Sequence, residues 1–263
     1  MLFAGRRKGM AGRRERSRMV IPLYDHSPFK WPIPPYATWA LIAVNVIVFA
    51  LEAGASDETA TALILALGTV PAEIFHSAPH PGVLPVEITL VTSSFLHGGW
   101  GHLFGNMLFL FIFGDDIEEA LGPWRFLAFY LLTGVAADLA YSVVNPHSTM
   151  PVIGASGPIA GVLAAYLLLR PCAKVLIGLG WIPILRVRAY WILGSWILLQ
   201  IYHVVDRPGD EVAYMAHIGG FVAGGLLFPA LRPAWVELFE CIEYPDQTVE
   251  SYATHQSPVI SEQ

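Results

Sequence analysis

Ser156 stands within Gly154-Ala155-Ser156-Gly157-Pro158, and His217 stands far along the chain from it, each at the head of a long apolar run. A serine hydroxyl becomes a good nucleophile only when a base takes its proton, and histidine is the side chain suited to that task near neutral pH. The two residues are therefore a candidate pair for acyl transfer, if the fold brings them together. Gly154, Ala155 and Gly157 leave the backbone around Ser156 bare, so that a substrate or another helix can approach. A helix beginning there also presents N–H groups with no intrahelical partner, and these can face an anion. The plainer reading is that serine is a common small packing residue in apolar helices.

His102 and Asn106 are four apart and share a helix face. A histidine and an amide donor placed there could stabilise an oxyanion, the charge that develops in acyl transfer. The alternative is that they tie one helix to its neighbours by hydrogen bonds. His97 and His102 are five apart, about 140° round a helix, which makes them poor joint metal ligands. His97 is therefore expected to be structural. Asp138 could orient a histidine, but a hydrogen-bonding role is the expectation. Asp115, Asp116, Glu118 and Glu119 fall at the far end of their run, away from the histidines. His203 reads as structural. Trp100, Trp124, Trp181, Trp191 and Trp196 read as interfacial anchors.

The elements that must position these residues are membrane-spanning. Of 263 residues 55% are hydrophobic and only 14% charged, where a soluble domain would carry about 25% charged. The composition excludes an ordinary soluble enzyme and points to a polytopic membrane protein. Six spans are expected: Thr38 to Ala53, Gly101 to Ala120, Arg125 to Val144, Ile153 to Leu169, Ala189 to Val205 and Val212 to Leu231. The fold class that follows is all-α, a six-helix membrane bundle. The stretch from Ala60 to Leu96 is broken by Gly68, Pro71, Pro79, Pro81 and Pro85 and reads as a long structured loop. The run from Val175 to Leu185 is too short to span and reads as interfacial.

Residues 1–36 read as a basic cytoplasmic arm without the apolar core of a signal peptide, ending in Pro32, Pro34 and Pro35. Residues 37–232 read as the membrane domain. Residues 233–263 read as a cytoplasmic tail with little fixed structure. With both termini inside, fourteen of the fifteen Lys and Arg residues are inside, and only Arg207 is outside. Cys172 and Cys241 then face the cytosol, where thiols stay reduced. The same topology makes the second, fourth and sixth spans all enter from outside. His97, His102 and Asn106, then Ser156, then His217 are thereby placed at one depth on one side. Gly157 with Gly161, and Gly220 with Gly224, form two Gly-x-x-x-Gly faces. Packing these faces together would bring Ser156 within reach of His217.

His97-x4-His102-x3-Asn106, then Gly154-x-Ser156-Gly157, then Ala216-His217-x2-Gly220-x3-Gly224, in this order across six spans, resembles the rhomboid intramembrane serine proteases, in particular bacterial members. The resemblance covers about residues 38–231. It implies that Ser156 is the nucleophile and His217 the general base of a dyad. It implies an oxyanion hole of His102, Asn106 and the Ser156 backbone N–H, and a need for Gly154 beside the serine. It implies transmembrane protein substrates cut near the outer face of a bilayer, with no metal, nucleotide or nucleic acid involved.

Two positions depart from the family pattern. Ile88-Thr89 stands where many members carry Trp-Arg, which bears on how the loop before the second span is anchored. Ala160 stands where some members carry an aromatic that stacks on the histidine, so the His217 ring must be held by something else, with a neighbouring helix as the expectation. Two rival readings predict different things. A catalytically silent scaffold of the same fold, binding membrane clients, would not need Ser156, His217 and the oxyanion donors together. A transporter relaying protons would carry polar residues along the whole crossing rather than at its outer ends.

Overall fold

Glu118 closes the start of the first long helix: its two carboxylate oxygens accept from Ala37 N (2.8 Å) and Thr38 N (2.7 Å). These are N–H groups that a helix start leaves without partners, and a carboxylate there also meets the positive end of the helix dipole. In the computed structural model, residues 20–25, 34–75, 84–179, 182–206 and 212–241 are described. The basic residues before 20, Pro32, Pro79, Pro81, Trp181, Arg207 and the tail beyond 241 lie outside the described residues.

The six expected apolar runs are six long helices with four short elements between the first two of them. They are α1 (Tyr36–Gly54), α5 (Trp100–Leu121), α6 (Pro123–Val144), α7 (Ser156–Leu169), α8 (Ala189–Asp206) and α9 (Tyr214–Leu231). The broken stretch between α1 and α5 folds as α2 (Asp57–Leu67), α3 (Pro71–Ile74), α4 (Val86–Thr92) and a 3-10 turn, Ser93–Phe95. Ser56 starts α2 by accepting from Thr59 N at 3.3 Å, with Asp57 and Glu58 in the first turn. Gly122 at φ +78° separates α5 from α6, and Pro123 follows in the first turn, where a missing N–H costs nothing. Among the described residues, α1, α6 and α9 are each long and apolar enough to cross a membrane. Leu51, Phe111, Leu198 and Leu226 are among the large apolar side chains left exposed, as expected where the surrounding solvent is lipid rather than water. The protein is an integral membrane protein.

α7 is the centre of the bundle. Every residue from Gly157 to Tyr166 is buried. Small residues allow this. A Cβ on Gly157 would stand 2.6 Å from Ala137 Cβ, and one on Gly161 would stand 2.7 Å from Thr133 Cβ, both on α6. On the other flank, Gly220 and Gly224 of α9 lie directly on the Gly157 carbonyl and the Gly161 backbone. Such backbone contact gains dispersion energy that a larger side chain would forfeit.

Three expectations need correcting. The fold is mostly helical rather than all-α. β1 (Val20–Asp25), β2 (Lys174–Leu179) and β3 (Ile182–Arg188) form an antiparallel sheet in the order β1-β2-β3. The run read as interfacial is the hairpin β2–β3, with Lys174 opposite Arg188. The stretch read as part of a basic arm supplies β1, whose Pro22 is tolerated because an edge strand need not donate on both sides. Second, the start of the tail is ordered. Phe239 N and Glu240 N donate to the Leu168 and Leu169 carbonyls at 2.7 and 3.0 Å, which the end of α7 leaves without intrahelical partners. Third, Cys172 and Cys241 are joined in a disulfide, their α-carbons 4.9 Å apart, because this docking sets the tail beside the chain that leaves α7.

Candidate active site

The chain that leads into α7 is fixed from behind. Thr69 and Val152 exchange both backbone hydrogen bonds (3.1 and 2.8 Å), and Gly154 N donates to the Ser93 carbonyl at 2.9 Å. Asp138 of α6 holds this scaffold, accepting from Ser93 Oγ (2.6 Å) and Thr69 Oγ1 (2.5 Å). Thr69 Oγ1 also donates to the Thr89 carbonyl at 2.9 Å. The loop before α5 is thus anchored on Asp138 and Thr69. Asp138 does not contact a histidine in these hydrogen bonds.

Gly154 has φ +121°, a conformation that L side chains rarely adopt. The turn it makes places Ser156 at the first position of α7. His217 lies in the first turn of α9, and its Nε2 is 2.9 Å from Ser156 Oγ. On its other side His217 Nδ1 is 2.8 Å from Oε1 of Gln200 on α8. Gln200 Nε2 donates to the Trp196 carbonyl at 3.3 Å. Only the nitrogen of an amide can make that bond, so the oxygen faces the ring. An amide oxygen only accepts, so Nδ1 carries the proton and Nε2 presents its lone pair to the serine hydroxyl. Ser156 and His217 are both half-buried, within reach from outside the bundle.

Trp196 lies against the His217 ring, with centroids 5.7 Å apart and planes 33° apart, and Tyr214 meets it edge-on at 6.4 Å. Trp196 is therefore not simply an interfacial anchor, unlike the exposed Trp100, Trp124 and Trp191. From sequence, Trp196 reads only as an interfacial anchor and Gln200 has no assigned role. A signal was present: Gln200 is an amide inside an apolar run, Trp196-Ile197-Leu198-Leu199-Gln200-Ile201, and polar groups there are costly unless they serve a purpose. His203 stacks on Tyr214 at 5.0 Å.

The α5 residues approach from the other side. His102 is exposed, and Asn106 is buried. A Cβ on Gly154 would stand 2.7 Å from His102 Cε1 and 3.7 Å from Asn106 Nδ2, which places both side chains beside the approach to Ser156. Asn106 Nδ2 donates to His97 Nε2 at 3.0 Å, leaving its second N–H free. His97 is buried, its ring 5.1 Å from that of His102. Burial, and secondarily the neighbouring His102, lower its pKa to about 4 against an opposing backbone interaction with Phe95. It is a neutral acceptor at neutral pH.

The four acidic residues late in α5 lie elsewhere. Besides the cap from Glu118, Arg170 pairs with Asp116 and reaches Glu119 at 3.7 Å.

A family model of the Rhomboid domain matches residues 87–233. The chain is 30% identical over 155 residues to Rhomboid-like protein 11, chloroplastic, of Arabidopsis thaliana, covering 54% of this chain and 52% of that protein. It is 30% identical over 191 residues to Rhomboid-related protein 1 of Caenorhabditis elegans, covering 68% and 50%. It is 31% identical over 149 residues to Rhomboid protease AarA of Providencia stuartii, covering 51% and 52%. The chain spans about half the length of these curated relatives.

Proposed function

The chain belongs to the rhomboid family, and from that membership we propose that it is an intramembrane serine endopeptidase acting through Ser156 and His217. The observation that carries the reading is the 2.9 Å contact between Ser156 Oγ and His217 Nε2 at the head of the most buried helix.

The steps follow from the groups present. Ser156 Oγ attacks a substrate carbonyl carbon as its proton passes to His217 Nε2. The carbonyl oxygen becomes an oxyanion, met by the Ser156 backbone N–H, the free N–H of Asn106 and the His102 ring. His97 accepts the other Asn106 N–H and so aims the amide. When the tetrahedral intermediate collapses, the C–N bond breaks and His217 returns its proton to the leaving amine. Water then gives a proton to His217, attacks the acyl-enzyme, and regenerates Ser156 Oγ–H.

The substrates in this reading are transmembrane segments of other proteins, cut near the outer face. A helical peptide bond is shielded by its own hydrogen bonds, so a segment that unwinds easily is the better substrate. α7 has 14 residues, about 21 Å, against a hydrocarbon core of about 30 Å. With its Arg170 end at the inner interface, Ser156 lies below the outer surface. All six long helices cross, residues 37–232 form the catalytic domain, and both termini are cytoplasmic, on the strength of the Lys and Arg distribution. The setting proposed is a bacterial inner membrane.

The test uses purified protein in liposomes with a generic transmembrane-helix substrate and a fluorophosphonate probe. Wild type is expected to cut the substrate and to be labelled at Ser156. Ser156→Ala and His217→Ala are expected to lose cleavage by at least about 10³-fold while remaining folded. A wild type that neither cuts nor labels across several substrates would overturn the reading and favour a client-binding scaffold.

A further inference from the structure

We infer that Gln200 is a positioning residue for His217, the third member of a Ser156–His217–Gln200 relay in which a neutral amide stands where a carboxylate would stand in a triad. The inference rests on the protease reading and extends it to the tautomer and orientation of the base. A general base needs its lone pair on the nitrogen facing the nucleophile, and a dyad alone does not specify which nitrogen that is. Here the specification comes from α8. Gln200 is 7% exposed. Its oxygen lies 2.8 Å from His217 Nδ1, and its own orientation is fixed by the bond from Nε2 to the Trp196 carbonyl. Trp196, one turn earlier on the same face, covers the His217 ring. Ala160 is fully buried and too small to do so. One turn of α8 thus supplies both the ring contact and the hydrogen-bond acceptor.

An amide suits the setting. A carboxylate taken out of water carries a large desolvation cost unless it is fully paired, whereas an amide oxygen accepts the same hydrogen bond without a charge. The bond also satisfies Nδ1–H, which would otherwise be a buried donor without a partner.

The experiment compares Gln200→Leu and Gln200→Glu with wild type in liposomes, reading kcat, KM, the rate of fluorophosphonate labelling of Ser156, and Tm. Leucine keeps the bulk and removes the acceptor. Glutamate keeps an acceptor oxygen whether or not it is ionised. The expected result is a fall in kcat and labelling rate of roughly 10- to 100-fold for Gln200→Leu, with KM within about twofold, and recovery of most of that loss in Gln200→Glu. A packing residue would give the reverse order, with leucine active and glutamate impaired, and that order would overturn the inference.

A second measurement needs no variant. The ring-nitrogen NMR shifts of His217 in the wild-type protein are expected to show Nδ1 protonated and Nε2 bare at neutral pH. The opposite tautomer would overturn the inference even if Gln200→Leu fails to fold. Should wild type neither cut nor label, the protease reading falls, while the tautomer still reports whether Gln200 holds the ring.

Discussion

Gly154 brings its α-carbon against the His102 ring so closely that a Cβ would stand 2.7 Å from Cε1 and 2.8 Å from Nε2. The glycine is required twice over, by this contact and by φ +121°. Gly154→Ala is expected to cost about 1–3 kcal/mol in backbone strain and to push His102 away from Ser156. Cleavage should fall on the order of 100-fold or more with Tm lowered by only a few degrees. An alanine variant with wild-type kcat would show that the His102–Gly154 contact is unimportant.

Asp138 is expected to matter for stability first. It accepts from two buried hydroxyls, those of Ser93 and Thr69. Its removal would strand Ser93 Oγ at about 1–3 kcal/mol, while Thr69 Oγ1 would keep only the Thr89 carbonyl. Asp138→Ala should therefore lower Tm markedly, and Asp138→Asn, which keeps one acceptor oxygen, should lower it less. A catalytic triad member would give the other pattern, lost activity at unchanged Tm.

Two neighbouring glycines of α9 should behave oppositely. A Cβ on Gly224 would collide with the Gly161 backbone, whereas one on Gly225 meets nothing within 4 Å. Gly224→Ala is expected to force α9 from α7 and destabilise the fold. Gly225→Ala is expected to leave it unchanged or slightly improved, since alanine favours a helix by about 1 kcal/mol over glycine. Thermal unfolding of the two variants side by side checks this.

The pH dependence of stability should carry a contribution from His97. Its pKa in the fold is lowered from 6.5 to about 4. Between those values the unfolded chain binds a proton that the folded chain does not, so stability rises with pH across the window. The contribution is present above 6.5 and is lost as pH falls toward 4. The Tm of wild type should thus drop over this interval more steeply than that of His97→Leu. Parallel curves would remove His97 as the source.

The disulfide and the basic residues point to different compartments. The Lys and Arg distribution puts the face bearing Cys172 and Cys241 inside, where thiols stay reduced. On that orientation both cysteines are expected to be thiols in cells, held by the fold with their α-carbons 4.9 Å apart, a distance an oxidant could bridge. Alkylation before lysis should label both. Protection of both in intact cells would place this face on the oxidising side and reverse the proposed orientation.

The six apolar runs could be read from sequence because a bilayer imposes length and hydropathy on each span by itself, within one short window. Ser156, His217, His102 and Asn106 stood out for a related reason, as polar residues at the heads of apolar runs. The glycine faces could be named in the same local way. Apart from the packing of those two faces, pairings between remote segments could not. β1 meets β2 across some 150 residues of intervening chain, and nothing local in either strand names the other. The tail docks because the last turn of α7 leaves carbonyls bare, a vacancy visible only once α7 has an end in space. Asp138 finds Ser93 and Thr69 rather than a histidine because α6 and the loop set those hydroxyls against it. Gln200 and Trp196 acquire their place at His217 only through the packing of α8 on α9. Hydropathy and helix signals act over a few residues, whereas which side chains share a site depends on the packing of the whole bundle.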